Sequence, residues 1–348
     1  MIVDLHAHVI VPEITRDAAP AEEWRPRVYR EDGAQVVELG GRPIRSLVAE
    51  FVDVDAILDA QRAAGIDRVV LSPWVPLLYY GEEAEEGLRR CRIQNEALAA
   101  LARSRPDRVS ALGAVPLQDP ERAVRELEGL MGAGTLSGVE VAASVRGVYL
   151  GDDRFEPFWE AAAASGALVF VHPTTRGFDV PAFGDYYLWN VVGNPLETTV
   201  TAAHMVMAGV LERHPGLRAL LAHGGGALPA LRGRLRHAHG FQQRARSRLR
   251  ESPEESLQRF YYDTLTHDPE LLRGLVDYVG PEHVVLGSDY PFDMGEQRPV
   301  ESVRASGLEP AAEAAVLGGN AGRLLAGREE LAADSWQLAE TSPEGRGR

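Results

Sequence analysis

With a single cysteine, Cys91, in 348 residues, the chain has no pair for an internal disulfide. Cytosolic conditions are the expected setting, and the helical pattern around Cys91 gives no sign of a nucleophile. Long apolar runs are missing too. No stretch reaches the roughly 18 consecutive apolar residues of a membrane helix, and no basic start with an apolar core precedes the first predicted strand. A soluble, cytoplasmic protein is expected. Positive charge is in short supply, with 36 Lys and Arg against 51 Asp and Glu and a net charge of -15. Such a surface repels nucleic acid and anionic membranes, so neither is an expected partner. An anionic substrate must therefore meet local positive charge, from a metal ion or from particular arginines. The remaining balance, 45% apolar and 25% charged, is that of a globular chain.

What is present begins at the N-terminus. Met1-Ile2-Val3-Asp4-Leu5-His6-Ala7-His8 reads as an apolar strand ending in His-x-His. Strand side chains alternate between faces, so His6 and His8 share one and can share a metal ion. Three later runs, Leu168 to His172-Pro173, Leu220 to His223-Gly224 and Val284 to Ser288-Asp289, are each short, apolar and terminated by one His or Asp. Runs without alternation are strands buried on both faces, as in a parallel sheet covered by helices. Metal-type ligands at the C-terminal tips of parallel strands are the arrangement of a (β/α)8 TIM barrel, an α/β fold of about 250 residues before insertions.

The intervening pattern supports that reading. Ile10 to about Val52 is rich in Pro, Glu and Arg and too long for a plain connection, so an N-terminal insertion subdomain over the barrel mouth is predicted, with Arg42 and Arg45 at its end. Asp55 opens a helix through about Ala64, and Arg68–Ser72 is strand two. Glu83–Arg103 is a long helix, Val109–Val115 strand three, Pro120–Ala133 a helix and Gly138–Val141 strand four. Phe155–Ser165 is a helix and Ala167–Val171 strand five. An aromatic loop, Phe178–Trp189, precedes a helix from Asn194 to about His214. Leu217–Ala222, Phe260–Thr264 and His283–Gly287 are the last three strands, and the helix between the first two carries Arg232, Arg234 and Arg236. Residues 1–330 are read as one domain with its insertion at about 10–52, and 331–348 as a polar tail.

Three histidines and a carboxylate, with no thiolates, suit a catalytic Zn²⁺ site, and also Mn²⁺, Fe²⁺ or Co²⁺. His223, followed by Gly224-Gly225-Gly226, is by position the candidate acid or base, its glycines letting substrate approach the backbone. A fifth metal ligand or a core histidine is the plainer alternative for it.

Taken in order, His6-Ala7-His8, His172-Pro173, His223-Gly224-Gly225-Gly226 and Ser288-Asp289-Tyr290-Pro291-Phe292 resemble the amidohydrolase superfamily. Val115-Pro116-Leu117-Gln118-Asp119 and Asn194-Pro195-Leu196-Glu197-Thr198 extend the likeness to its decarboxylase branch, typified by 2-amino-3-carboxymuconate-6-semialdehyde decarboxylase. The resemblance implies a distorted barrel, one divalent metal on His6, His8, His172 and Asp289, His223 as catalytic histidine, and a homodimer. It also implies that Arg45 binds a substrate carboxylate, that Arg234 reaches a neighbouring subunit's site, and that Phe292 and Trp189 pack on a planar substrate. The implied activity is removal of CO2 from an unsaturated or aromatic carboxylic acid, with Asp289 holding or relaying a proton. Hydrolysis of a lactone or amide is the alternative, and a noncatalytic metal-stabilised barrel a third. The chain departs from the family in having Thr174-Thr175-Arg176-Gly177 after His172-Pro173. Having His-x-His where some resorcylate-type members have Glu-x-His favours zinc.

Overall fold

The computed structural model describes residues 1–15, 22–44, 47–174 and 180–326. β1 (Val3–Val9) is followed by three short strands, β2 (Arg27–Glu31), β3 (Ala34–Leu39) and β4 (Arg42–Ile44), which pair antiparallel in that order within the expected insertion. Helix α1 (Val54–Ala63) leads to β5 (Arg68–Pro73), α2 (Ala84–Ser104) to β6 (Val109–Ala111), and α3 (Pro120–Ala133) to β7 (Gly138–Ala142). A two-stranded hairpin, β8 (Ser144–Val145) and β9 (Val148–Tyr149), precedes α4 (Glu156–Ser165) and β10 (Leu168–His172). Then come α5 (Asn194–Met207), α6 (Val210–Arg213), β11 (Arg218–Leu221), α7 (Leu228–Phe241), α8 (Pro253–Leu257), β12 (Tyr261–Asp263), α9 (Pro269–Val279) and β13 (Val284–Val285).

The parallel strands form two runs, β1-β5-β6 and β7-β10-β11-β12-β13. Isolated parallel bridges link them on both sides, Gly113 with Val139 and Ala7 with Tyr290. Between the ends of the runs, the Leu5 N–H donates to the Leu286 carbonyl, and that of His8 to Tyr290, each at 2.9 Å. Every residue of β1, β7 and β10 is buried, as unbroken apolar runs require. Val3, Leu5, Leu168, Phe170, Leu220 and Val285 pack together between the strands. Each such side chain contributes roughly 1.5–3 kcal/mol of burial.

Some boundaries move from their predicted places. Asp53, not Asp55, caps α1, its carboxylate accepting the N–H groups of Asp55 and Ala56. The helix predicted from Asn194 to His214 breaks after Met207, because Gly209 adopts a left-handed φ of 75°. Strand eight shortens to Val284–Val285, as the Leu286 N–H turns to the Val316 carbonyl. No helix among the described residues is long and apolar enough to cross a membrane. The polar tail predicted at 331–348 lies outside the described residues.

Candidate active site

The parallel register gathers the flagged residues at one end of the strands. His6 and His8 project from β1, His172 ends β10, and His223 and Asp289 follow β11 and β13. His6, His172, His223 and Asp289 each offer a ligand atom, all within 4.8 Å of one another. His8 joins them, its Nε2 lying 3.2 Å from His6 Nε2 and 3.2 Å from Asp289 Oδ1.

The second ring nitrogen of three histidines points away from this cluster. His6 Nδ1 is 2.7 Å from Asp263 Oδ2, and His172 Nδ1 is 2.9 Å from the Pro173 carbonyl. His8 Nδ1 lies 3.2 Å from Ser72 Oγ and 3.3 Å from the Pro73 carbonyl. A carbonyl only accepts, so His172 carries its proton on Nδ1 and turns a bare Nε2 inward. That Nε2 is buried with no hydrogen-bond partner, and so is Asp289 Oδ1. Buried polar atoms left unpaired are costly, and here they converge with nitrogen and carboxylate donors; the residues fit a divalent cation.

Asp289 divides the group. Its Oδ1 lies 3.2 Å from the Nε2 atoms of both His6 and His8, whereas Oδ2 faces His223 Nε2 at 3.4 Å. His223 is also the one partly exposed member; the other four are buried. Both His223 and Asp289 hold left-handed backbone conformations, φ 57° and 55°, uncommon for residues with a side chain.

Electrostatics follow from burial and closeness. Burial opposes a charge on His6, yet the Asp289 and Asp263 carboxylates push it up to about 10. A cation at Nε2 would take the place of that proton. Burial, helped by the charges of His8 and His6, holds His172 well below the ordinary histidine range, and burial lowers His8 as well. Asp289 stays well below the usual carboxylate range against its own burial, chiefly through the charge of His6.

Four carboxylates that the sequence reading did not single out surround the cluster. Asp263 accepts from His6 and from the N–H groups of His223, Gly224 and Leu265, and its pKa is lowered against burial by the His6 bond. Asp4 takes the N–H groups of His6 and Ser288, the Ser288 hydroxyl and the Gln61 amide, while burial pushes it up to about 6. The Glu140 carboxylate is buried 3.8 Å from His8 Nδ1, and burial, opposed by Ser72 and by the charge of His6, pushes it up to about 8. Glu197, in the Asn-Pro-Leu-Glu-Thr motif, accepts from the N–H and hydroxyl of Thr174, two residues past His172, and from the Ser144 hydroxyl. Asp263 ends an apolar run, the same signal that marked Asp289.

Among the expected substrate residues, Phe292 lies beside the histidines, its ring 5.6 Å from that of His8 and 5.4 Å from that of Phe51. Trp189 opens a π-helical turn (Trp189–Gly193) that runs into α5, with its ring 5.0 Å from Tyr187, whose hydroxyl donates to Asp293 Oδ1 at 2.9 Å. Arg234 is exposed on α7 and Arg42 is exposed on β4. Arg45 lies outside the described residues. The glycines after His223 are closely packed. An added Cβ would meet the Tyr262 ring at 2.6 Å from Gly225 and the Pro195 carbonyl oxygen at 2.1 Å from Gly226.

A family model described as amidohydrolase matches residues 3–326. The chain belongs to the amidohydrolase family. This amidohydrolase is 31% identical over 328 residues to 2-amino-3-carboxymuconate-6-semialdehyde decarboxylase of Dictyostelium discoideum, covering 92% of this chain and 90% of that one. It is 28% identical to 6-methylsalicylic acid decarboxylase of Penicillium expansum, over 67% of this chain and 73% of that one. Among solved structures, 5-carboxyvanillate decarboxylase of Sphingomonas paucimobilis superposes with a TM-score of 0.77 at 27% identity, over 93% and 98% of the two chains.

Proposed function

We propose that the protein removes CO2 from an unsaturated or aromatic carboxylic acid, with one divalent metal ion held by His6, His8, His172 and Asp289 and with His223 as the proton-transferring residue. Decarboxylation is the activity that its named relatives share. The observation that carries the assignment of roles is the division at Asp289, one oxygen toward the buried His6 and His8 and the other toward the partly exposed His223. The donor set of three nitrogens and an oxygen favours Zn²⁺, with Mn²⁺, Fe²⁺ or Co²⁺ also suited. When bound, such an ion supplies Lewis acidity, polarising a carboxylate or carbonyl oxygen and acidifying water.

The chain's own residues do the rest. His223 Nε2 delivers a proton to the sp² carbon that bears the carboxylate, making it tetrahedral. The bond to the carboxylate carbon then breaks, its electron pair restores conjugation, and CO2 departs. Asp289 Oδ2 steadies the imidazole and relays the replacing proton. Phe292 and Trp189 face the planar substrate. Arg45, and Arg234 from a second copy in a homodimer, supply the carboxylate-binding charge that an acidic chain otherwise lacks. With this reading go a closed, distorted (β/α)8 barrel spanning residues 1–330, an insertion subdomain at about 10–52, a polar tail at 331–348, and a cytoplasmic setting.

CO2 release from a panel of aromatic and muconate-type acids, with bound metal quantified, tests the proposal on wild type, His223→Asn and Arg45→Ala. Stoichiometric metal, with CO2 release lost in the His223 variant and KM raised in the Arg45 variant, is the expected result. Bound metal with turnover of a lactone or amide, and no CO2 from any acid, moves the protein to the hydrolases.

A further inference from the structure

We infer that Asp263 is a positioning residue serving two members of the site at once, fixing the ring of His6 and the backbone of His223; this rests on the reading that His6 holds the ion and His223 faces the substrate. Asp263 ends β12, and its carboxylate is buried. Oδ2 accepts from His6 Nδ1 at 2.7 Å and from the His223 N–H at 2.9 Å. Oδ1 accepts from the N–H groups of Gly224 at 2.7 Å and Leu265 at 3.1 Å.

The two halves of this contact depend on different chemistry. His223 and Gly224 have φ values of 57° and 60°. In this turn the neighbouring N–H groups of His223 and Gly224 point to one side, and such a turn of successive backbone N–H groups makes a concavity that holds an anion. Here the anion is the protein's own carboxylate. A left-handed histidine persists only where its surroundings over-determine it, and two backbone hydrogen bonds to one buried carboxylate do so. The bond to His6 instead selects a tautomer: with the proton kept on Nδ1, the Nε2 lone pair is free for the ion. A neutral acceptor could serve the backbone alone. Only a carboxylate, with acceptors on both oxygens, serves backbone and ring together.

Gly287 shows how closely the three strands approach at this point. An added Cβ there would meet His6 Cβ at 2.8 Å and Asp263 Cβ at 3.0 Å. Asp263 therefore has little room to swing, and its oxygens are committed to the donors they face.

The discriminating variant is Asp263→Asn, of the same shape. Its NH2 group must face donors on one side or the other. In the place of Oδ2 it drives His6 to the Nε2–H tautomer and orphans the His223 N–H; in the place of Oδ1 it opens the concavity at Gly224 and leaves His6 a neutral amide oxygen instead of a carboxylate, a weaker hold on the Nδ1 proton. Affinity for Zn²⁺ and for Mn²⁺ is measured by chelator competition on the full chain, beside thermal unfolding of the metal-free protein. Glu156→Gln is the comparison, since the Glu156 carboxylate is bonded to Arg213 and His214. Expected is a loss of metal affinity of roughly 10- to 100-fold in Asp263→Asn and none in Glu156→Gln. Where activity is measurable, kcat of Asp263→Asn stays depressed at saturating metal, because His223 is displaced as well. Unchanged metal affinity, or equal losses in the two variants, overturns the inference. Should Asp263→Asn fail to fold, Asp263→Glu, which keeps the charge but overreaches by one methylene, carries the same comparison. Tight metal binding by a wild type that releases no CO2 defeats the proposed reaction while the affinity comparison still judges Asp263.

Discussion

Gly226→Ala separates two explanations for the glycines after His223. If they exist to let substrate reach the backbone, a methyl group there raises KM and leaves stability alone. The structure gives a different expectation. Gly226 has φ 63° and ψ -130°, a region that residues with a Cβ rarely enter, at a cost of about 1–3 kcal/mol. The added Cβ would also lie 2.1 Å from the Pro195 carbonyl oxygen and 2.6 Å from Thr199 Oγ1. The hydroxyl can turn aside, but the carbonyl belongs to the first turn of α5 and cannot. Overpacking of this kind adds about 1–3 kcal/mol. The total is about 2–6 kcal/mol, enough to lower the unfolding midpoint well outside measurement error in denaturant titration of metal-free protein. A variant with wild-type stability and a raised KM would refute the reasoning and restore the substrate-approach explanation.

Glu197→Gln should cost about 1–3 kcal/mol, because a buried carboxylate that accepts the Thr174 N–H and the Thr174 and Ser144 hydroxyls becomes a neutral amide and its charge-assisted bonds weaken; denaturant unfolding checks this, and a change under about 0.5 kcal/mol would exclude that contribution. Phe292→Leu removes the ring beside His8 and, if that ring faces a planar substrate, raises KM about two- to tenfold with kcat nearly kept, as initial rates would reveal. The pair of Glu156 with Arg213 depends on acid. Arg213 pulls the Glu156 carboxyl down to about 2 against partial burial, with help from His214. A lowered folded-state pKa gives stability that is full above the unfolded value and lost as pH falls toward the folded one. The difference between wild type and Glu156→Gln, about 0.5–1 kcal/mol for a pair this exposed, should therefore be constant above about pH 5 and shrink below about pH 4.5. A difference that grows in acid contradicts the pairing.

Much of the site was legible because strand chemistry is local. Alternation placed His6 and His8 on one face, and apolar runs ending in a polar residue located His172, His223 and Asp289. The same signal stood at Tyr261-Tyr262-Asp263 but points equally to any strand end, so the bonds of Asp263 to residues 40 and 257 positions away could not be read. Glu140 was hidden within its strand, where only the neighbours of β7 reveal that its carboxylate faces His8. The packing around the glycines could not be read either, because it comes from α5 and β12, remote in sequence. For Arg234, helical spacing fixed the helix but said nothing about exposure.

His6 and Asp289 stand 3.2 Å apart although they lie at positions 6 and 289. Their contact holds only while β1 stays seated beside the segment that follows β13, so fraying of β1 parts the two groups. An ion held between them, as proposed, would tie these two segments together, and metal-loaded protein should then resist proteolytic cleavage in β1 longer than metal-free protein does.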